Sequence, residues 1–253
     1  MDDSILEFNK EYWDAYADTW LELDRATALP DYGVGISEEE LHLFGDVTGK
    51  KLLDICCGSG HSLKYHADRG AAELWGLDIS SKQLALADAF LKGRGYAAKL
   101  ICSPMEAEAG VPTGYFDFVY SVYGIGWTTD LEGTFKKIAS YLKKDGIFIF
   151  SWHHTLNYCV AFSIPERKVV LENGKLVFHR SYFDESWFQL PVDDTEVTLC
   201  NRKISTYVNA LAQAGFVIEH MIEQPGREIS DISDKAIKAQ MLPLSFCFKA
   251  RKL

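Results

Sequence analysis

The chain has 253 residues, 47% hydrophobic and 25% charged, proportions that exclude a disordered or fibrous chain and fit one large domain or one domain with an insertion. Its apolar runs, such as 146–152, fall far short of the ~20 residues of a membrane span. The net charge of −10 is uneven: residues 1–46 hold 13 acidic and 2 basic residues, and the remainder is nearly balanced. With no basic face in evidence, neither a nucleic-acid backbone nor an anionic membrane surface is expected as a partner.

The opening Met1-Asp2-Asp3-Ser4 has neither the positive nor the apolar region of a secretory signal. The six cysteines form no C-x-x-C pair and no zinc-ligand spacing, so reduced thiols in a cytoplasmic protein, without a metal, are expected.

In chain order, Ile5, Phe8, Tyr12, Tyr16 and Trp20 recur every three or four residues and predict an amphipathic helix over 4–23, with Ser4 and Glu7 as a capping box. Pro30-Asp31-Tyr32-Gly33 is a break, and a short helix is expected over 37–44. Apolar strands follow at 51–56, 73–77, 99–102, 116–122 and 146–151, interleaved with helices at 61–69, 81–92 and 131–142. Near-continuous apolar strands alternating with helices argue a doubly wound α/β sheet covered on both faces. Residues 152–200 break the alternation: Asn173-Gly174 between two apolar runs predicts a tight hairpin, followed by Tyr182, Phe183, Trp187 and Phe188. A helix over 205–214 and strands at 216–222 and 244–250 complete the pattern.

The chemistry-bearing segment is Asp54-Ile55-Cys56-Cys57-Gly58-Ser59-Gly60, where a buried strand runs through a glycine loop into a helix. Glycines let a ligand approach the backbone, and the helix N-terminus offers free N–H groups. Asp78 ends the next strand, where a carboxylate can accept from a ribose diol. The dinucleotide pattern G-x-G-x-x-G is incomplete in either frame, ending on His61 or Leu63. A carboxylate at Asp54 would repel pyrophosphate and suits a ligand carrying an ammonium group. The layout therefore favours an amino-acid-bearing nucleoside such as S-adenosylmethionine (SAM).

On these residues the chain resembles the class I SAM-dependent methyltransferases, in the branch that modifies quinones, sugars and other small molecules. Residues 54–60 resemble the family's D-x-G-C-G-x-G motif, with Cys56 in place of its first glycine. Gly76-Leu77-Asp78-Ile79-Ser80 is similar to the ribose motif, Phe116-Asp117-Phe118-Val119-Tyr120-Ser121 to the fourth strand, and Leu142-Lys143-Lys144-Asp145-Gly146 to the L-x-P-G-G turn. Tyr12-Trp13-Asp14, Ala17 and Trp20 are similar to a cap helix that closes over SAM.

The resemblance implies a Rossmann-like seven-stranded sheet. It divides the chain into a helical cap (1–46), a SAM-binding core (47–151), an inserted substrate cover (152–200) and a C-terminal return to the sheet (201–253). It implies Asp54 at the SAM ammonium, Cys56, Gly58 and Gly60 at the methionine moiety, Asp78 at the ribose and Ile79 on the adenine. Met105 and Glu106 fall where the family holds the adenine edge, although its usual acidic residue is Ser103 or Pro104 here. Gln83 and His61 would lie beside the cofactor, Ser121 beside the sulfonium, and Tyr12, Trp13 and Trp20 over it.

Methyl transfer from a sulfonium needs alignment, exclusion of water and, for a hydroxyl acceptor, a general base. His153 and His154 leave the C-terminal end of the fifth strand, where ligands bind in such sheets, and are the candidate bases. Aromatic residues in the cap, at 123–127 and in 152–200 point to a small aromatic or apolar methyl acceptor. A SAM-binding regulator without catalysis and an NAD-dependent oxidoreductase are the alternatives. The element to be methylated and the oligomeric state are not legible.

Overall fold

The computed structural model describes residues 3–22, 30–160, 162–163, 168–169, 171–192, 195–226 and 234–253. Helix α1 (Asp3–Glu22) is followed by a small hairpin, β1 (Asp31–Gly33) and β2 (Ile36–Ser37), where only a break was expected. Helix α2 (Glu38–Leu41) is half the expected length and stops at His42, whose φ is +47°. The Glu38 carboxylate turns back to accept the N–H groups of Leu43 (2.8 Å) and Phe44 (3.1 Å) and the Tyr32 hydroxyl (2.9 Å), which closes the turn.

The alternating part follows the sequence pattern closely: β3 (Lys51–Asp54), α3 (His61–Ala67), β4 (Glu73–Asp78), α4 (Ser81–Lys92), β5 (Lys99–Cys102), β6 (Phe116–Ser121), α5 (Leu131–Tyr141) and β7 (Leu142–His153). Strand β7 starts four residues early, because Asp145 at φ +61° turns the expected loop into an irregularity within the strand.

Beyond β7 the expectation was less complete. A short helix α6 (Thr155–Cys159) precedes β8 (Phe162–Ser163) and β9 (Lys168–Val169). The Asn-Gly hairpin is present as β10 (Leu171–Glu172) and β11 (Lys175–Leu176), with Asn173 at φ +52° and Gly174 at φ +71°; Val170, expected within it, lies outside the described residues. A longer antiparallel ribbon, β12 (Trp187–Val192) with β13 (Thr195–Cys200), was not anticipated. Then come α7 (Ile204–Gln213), β14 (Phe216–Ile222), α8 (Asp234–Met241), also unanticipated, and β15 (Ser245–Lys252).

Seven strands form one sheet in the order β14-β15-β7-β6-β3-β4-β5, parallel except for β15, which runs antiparallel to both neighbours. Neighbouring side chains on a strand face opposite sides. Leu53, Phe148, Phe150 and Phe248 accordingly join one core with α5 and α7, while Leu52, Tyr120, Ile149 and Cys247 join the other with α3 and α4. From β3 the chain steps outward to β4 and β5, then returns to the other side of β3 as β6. The strand order therefore reverses between β3 and β6, and their carboxyl ends open the crevice in which such sheets bind ligands.

Candidate active site

The loop after β3 is shaped by Gly58 (φ +48°) and Gly60 (φ +82°), left-handed conformations that side chains rarely adopt. A Cβ on Gly58 would lie 3.2 Å from the Trp20 indole nitrogen, so α1 sits directly over this loop. Asp78, at the end of β4, accepts the Gly58 N–H (2.9 Å) on one oxygen and the Ser80 N–H (2.9 Å) on the other. Burial, the largest influence, pushes its carboxyl up to about 6, while those two backbone bonds pull the other way. Gln83 accepts the Ser59 hydroxyl on its carbonyl oxygen, and its buried amide nitrogen has no partner among the described residues. An unpaired buried donor is costly unless a ligand takes it up.

Gly58, Asp78, Gln83 and Trp20 share one cavity of about 240 Å³. Cys56, Gly58, Asp78, Ile79, Gln83 and residues 103–106 line one end, together with Trp13 and Trp20. The wall continues through Leu6, Asn9 and Tyr12 of α1, Val122, Tyr123, Trp127, Trp152, His153 and Tyr158, and Leu190, Val192, Val197 and Leu199 of the ribbon. Trp13 meets Trp20 (5.8 Å) and Trp127 (5.5 Å), and Trp127 meets Trp152 (5.4 Å), so aromatic contacts run from α1 to the end of β7. Among the described lining residues there is no Lys or Arg.

Several expected site residues stand elsewhere. His61 is not on the wall: its ring packs on Phe90 (4.5 Å), and burial lowers it to about 4. His154, expected beside His153 as a base, is bonded through Nε2 to Glu223 (2.7 Å) and through Nδ1 accepts the Leu156 N–H (3.1 Å). It caps α6 and does not line the cavity, because alternation along the strand end sends its side chain away from that of His153. Asp54 is buried behind the wall, accepting the Cys56 N–H (3.1 Å), and burial first, then the nearby Asp78, raises it to about 8. Gly60 and Ser121 are also behind the wall, Ser121 with a buried hydroxyl that has no hydrogen-bond partner among the described residues. Burial, reinforced by Asp78, holds the Cys56 thiol well above its ordinary range, which disfavours a thiolate nucleophile.

Met105 and Glu106 do reach the wall. Glu106 also braces the next loop, accepting the Thr129 N–H (2.8 Å) and hydroxyl (2.9 Å), while Arg202 donates to the Thr128 carbonyl from the other side (2.5 Å). His153 lies on the wall with Nδ1 3.1 Å from the Tyr123 hydroxyl.

Sequence reading missed the ribbon and Asn9. The signal for the ribbon was present, since Leu190, Val192, Val197 and Leu199 alternate with more polar residues on either side of 193–194. Asn9 gave none. Its amide donates to the Thr198 carbonyl and accepts the Thr198 N–H, both at 3.0 Å, clasping helix α1 to the ribbon. A second clasp joins α1 to α4: Asp14 accepts the Ser80 hydroxyl (2.6 Å), and Lys82 pairs with Asp18 (2.7 Å).

A mostly parallel doubly wound sheet, a glycine loop at its switch point and a strand-end carboxylate facing a cavity define a nucleoside-binding α/β enzyme class. Comparison with known proteins narrows this. A family model described as a methyltransferase domain matches residues 53–150. A demethylmenaquinone methyltransferase of Lactococcus lactis subsp. lactis is 31% identical over 203 residues, covering 77% of each chain. An uncharacterised protein of Haemophilus influenzae is 31% identical over 230 residues, covering 84% of this chain and 85% of its own. The crystal structure of a SAM-dependent methyltransferase from Mesorhizobium loti shares the fold, with a TM-score of 0.67 at 22% identity, covering 87% of this chain and 100% of that one. The chain belongs to the SAM-dependent methyltransferases, and SAM is its cofactor. Among the described residues no helix is long and apolar enough to cross a membrane.

Proposed function

We propose that the enzyme methylates a small, aromatic or otherwise apolar metabolite, with SAM at the Asp78 end of the cavity and the acceptor at the His153 end. The observation that carries this reading is one cavity that joins Gly58, Asp78 and Gln83 to a wall of aromatic and aliphatic side chains, Trp127, Trp152, Tyr158, Leu190 and Val192 among them. The lack of Lys or Arg among the described residues of that wall argues against diphosphate or nucleic-acid acceptors. The quinone named for the Lactococcus lactis relative supports an acceptor with an apolar ring system.

When bound, SAM supplies a methyl group already activated on a sulfonium. The protein's work is then to hold, align and keep dry. Asp78 accepts the ribose hydroxyls on lone pairs left by its backbone donors, Ile79 and Met105 flank the adenine, and the Gln83 amide donates to the nucleoside. Asp54, one layer back and held largely neutral by burial in the free protein, would be drawn toward its ionised form by the ammonium of the methionine moiety, which it reaches through the Cys56–Gly58 backbone or water. Helix α1 covers the cofactor, and the β12–β13 ribbon covers the acceptor. Within 1–46 and 152–200, helix α1 and the β12–β13 ribbon are thus covers on a core formed by the sheet and helices described in 47–151 and 201–253. His153 is the polar group that addresses the acceptor. The six free cysteines suit a reducing cytoplasm.

The test is incubation with methyl-labelled SAM and a panel of quinols, phenols, sterols, sugars and RNA, followed by mass spectrometry. Label in apolar ring acceptors supports the reading. Label confined to sugars or RNA, or SAM binding without transfer to any fraction of a metabolite extract, contradicts it.

A further inference from the structure

Two wall residues of the cofactor end, Asp78 and Gln83, are held by one residue that is not on the wall. Ser80 lies fully buried between β4 and α4. Its N–H donates to one Asp78 oxygen (2.9 Å), while the other oxygen takes the Gly58 N–H (2.9 Å). Its hydroxyl oxygen accepts the Gln83 N–H (3.0 Å) and so caps α4. The hydroxyl proton points the other way and donates to the Asp14 carboxylate of helix α1 at 2.6 Å, the short distance of a bond to a charged acceptor.

Asp14 itself docks on the first turn of α4 and not on the cavity. The oxygen that meets Ser80 also accepts the Lys82 N–H (3.4 Å), a favourable place for negative charge at a helix N-terminus, and the other oxygen meets Lys10 of α1 (3.2 Å). Burial works against the charge, but the bonds from Ser80 and Lys10 hold the Asp14 carboxyl below its ordinary value, so it is an acceptor at neutral pH. A line of direct bonds therefore runs from α1 through one serine to the carboxylate at the end of β4. The other tie between these helices, Asp18 with Lys82 (2.7 Å), is solvent-exposed, and neither partner is on the wall.

Resting on the function proposed above, which sets the cofactor's ribose at Asp78, we infer that Asp14 and Ser80 are positioning residues that couple docking of helix α1 to binding of the cofactor. The docked helix fixes the Ser80 hydroxyl, and with it the turn whose N–H groups orient the Asp78 carboxylate and hold Gln83 at the cavity. With α1 undocked, the Ser80 proton loses its charged acceptor, and the turn keeps only its bonds within the sheet and α4. Such coupling is reciprocal: the factor by which the docked helix tightens the cofactor is the factor by which the cofactor holds the helix down. Helix α1 is then a sensor of occupancy at Asp78 as well as a cover over it.

The experiment is a double-mutant cycle on S-adenosylhomocysteine affinity, measured by calorimetry on the full-length protein and joined to hydrogen exchange in residues 3–22. Asp14→Ala, at a half-buried position off the wall, is expected to weaken S-adenosylhomocysteine about threefold to tenfold, the scale of one hydrogen bond. Asp14→Asn, which keeps an oxygen for the serine, should restore the affinity. In Asp78→Ala protein the Asp14→Ala change should add little, because both act through one network. The slowing of exchange that the ligand brings to 3–22 should shrink in Asp14→Ala and in Asp78→Ala alike. Asp18→Ala, which breaks only the exposed pair, should leave the affinity unchanged. Additive losses, unchanged affinity in Asp14→Ala, or a loss in Asp18→Ala as large as in Asp14→Ala overturns the coupling and leaves the methyltransferase reading intact. Unchanged affinity in Asp78→Ala overturns the ribose placement as well.

Discussion

At the cofactor end of the cavity the wall is held from the backbone: Asp78 is pinned by the N–H groups of Gly58 and Ser80, the glycine loop grows out of β3, and the sheet cores lie directly beneath. At the other end, the proposed acceptor end, much of the wall is side chains presented by two covers, the Leu6–Tyr12 part of α1 and the β12–β13 ribbon, while Trp13 and Trp20 of α1 reach the Asp78 end. The covers are joined to each other by the Asn9 amide, and α1 is joined to the sheet's helices by Asp14 and Asp18. The difference separates what must be constant from what can change. On the function proposed above, one end serves one cofactor and is held in shape by the sheet. The other rests on a few polar clasps that can open for exchange of substrate and product.

This contrast yields predictions of graded size. Phe150 is fully buried and stacks between Phe148 (4.8 Å) and Phe248 (5.2 Å), so Phe150→Ala should cost the whole fold about 3–5 kcal/mol in chemical denaturation. A loss under about 1 kcal/mol would mean that the sheet is not the rigid half. Asp78→Ala should weaken SAM by about 1–3 kcal/mol in calorimetry, through lost charge-assisted bonds. Unchanged affinity would remove Asp78 from the ribose site.

The pH dependence sharpens the same end. Burial raises Asp78 from 3.8 to about 6, so the free protein is favoured below 3.8 and loses that contribution as pH rises toward 6. Bound ribose hydroxyls favour the ionised form. SAM affinity should therefore rise with pH through about 6 and then level, being about tenfold weaker at pH 5. Asp54, raised to about 8, adds a shallower rise in the same direction at higher pH. Affinity that falls from pH 5 to 7 would contradict the assignment. The smallest effect belongs to the covers. Asn9→Ala should cost on the order of 1 kcal/mol, read as faster hydrogen exchange in residues 3–22 with little change in the global unfolding midpoint.

The same contrast explains what could be read from the sequence. Strands such as 51–54 and 116–121 are buried on both faces, and burial on both faces writes itself into composition. Gly58, Gly60 and Asp78 were legible because a backbone conformation or a strand end requires them there. The covers were less legible because their positions depend on contacts far apart in the chain. Asn9 meets Thr198, and Tyr123 meets Ser245, with no local pattern to announce either. His153 and His154 are indistinguishable as neighbours in sequence, and only the alternation at the end of β7 separates the one on the wall from the one capping α6. His61 stands off the cavity wall for the same kind of reason: a first-turn position can point at the loop or at the next helix, and here its ring packs on Phe90 of α4.

The most direct measurement of the central claim is hydrogen exchange along the chain with and without S-adenosylhomocysteine. A cofactor end held in shape by the sheet under clasped covers predicts slower exchange on binding in residues 3–22 and 187–200, against little change in 51–54 and 116–121, already protected in the free protein. Equal protection of the covers with and without ligand, or a large gain in the central strands, would contradict it.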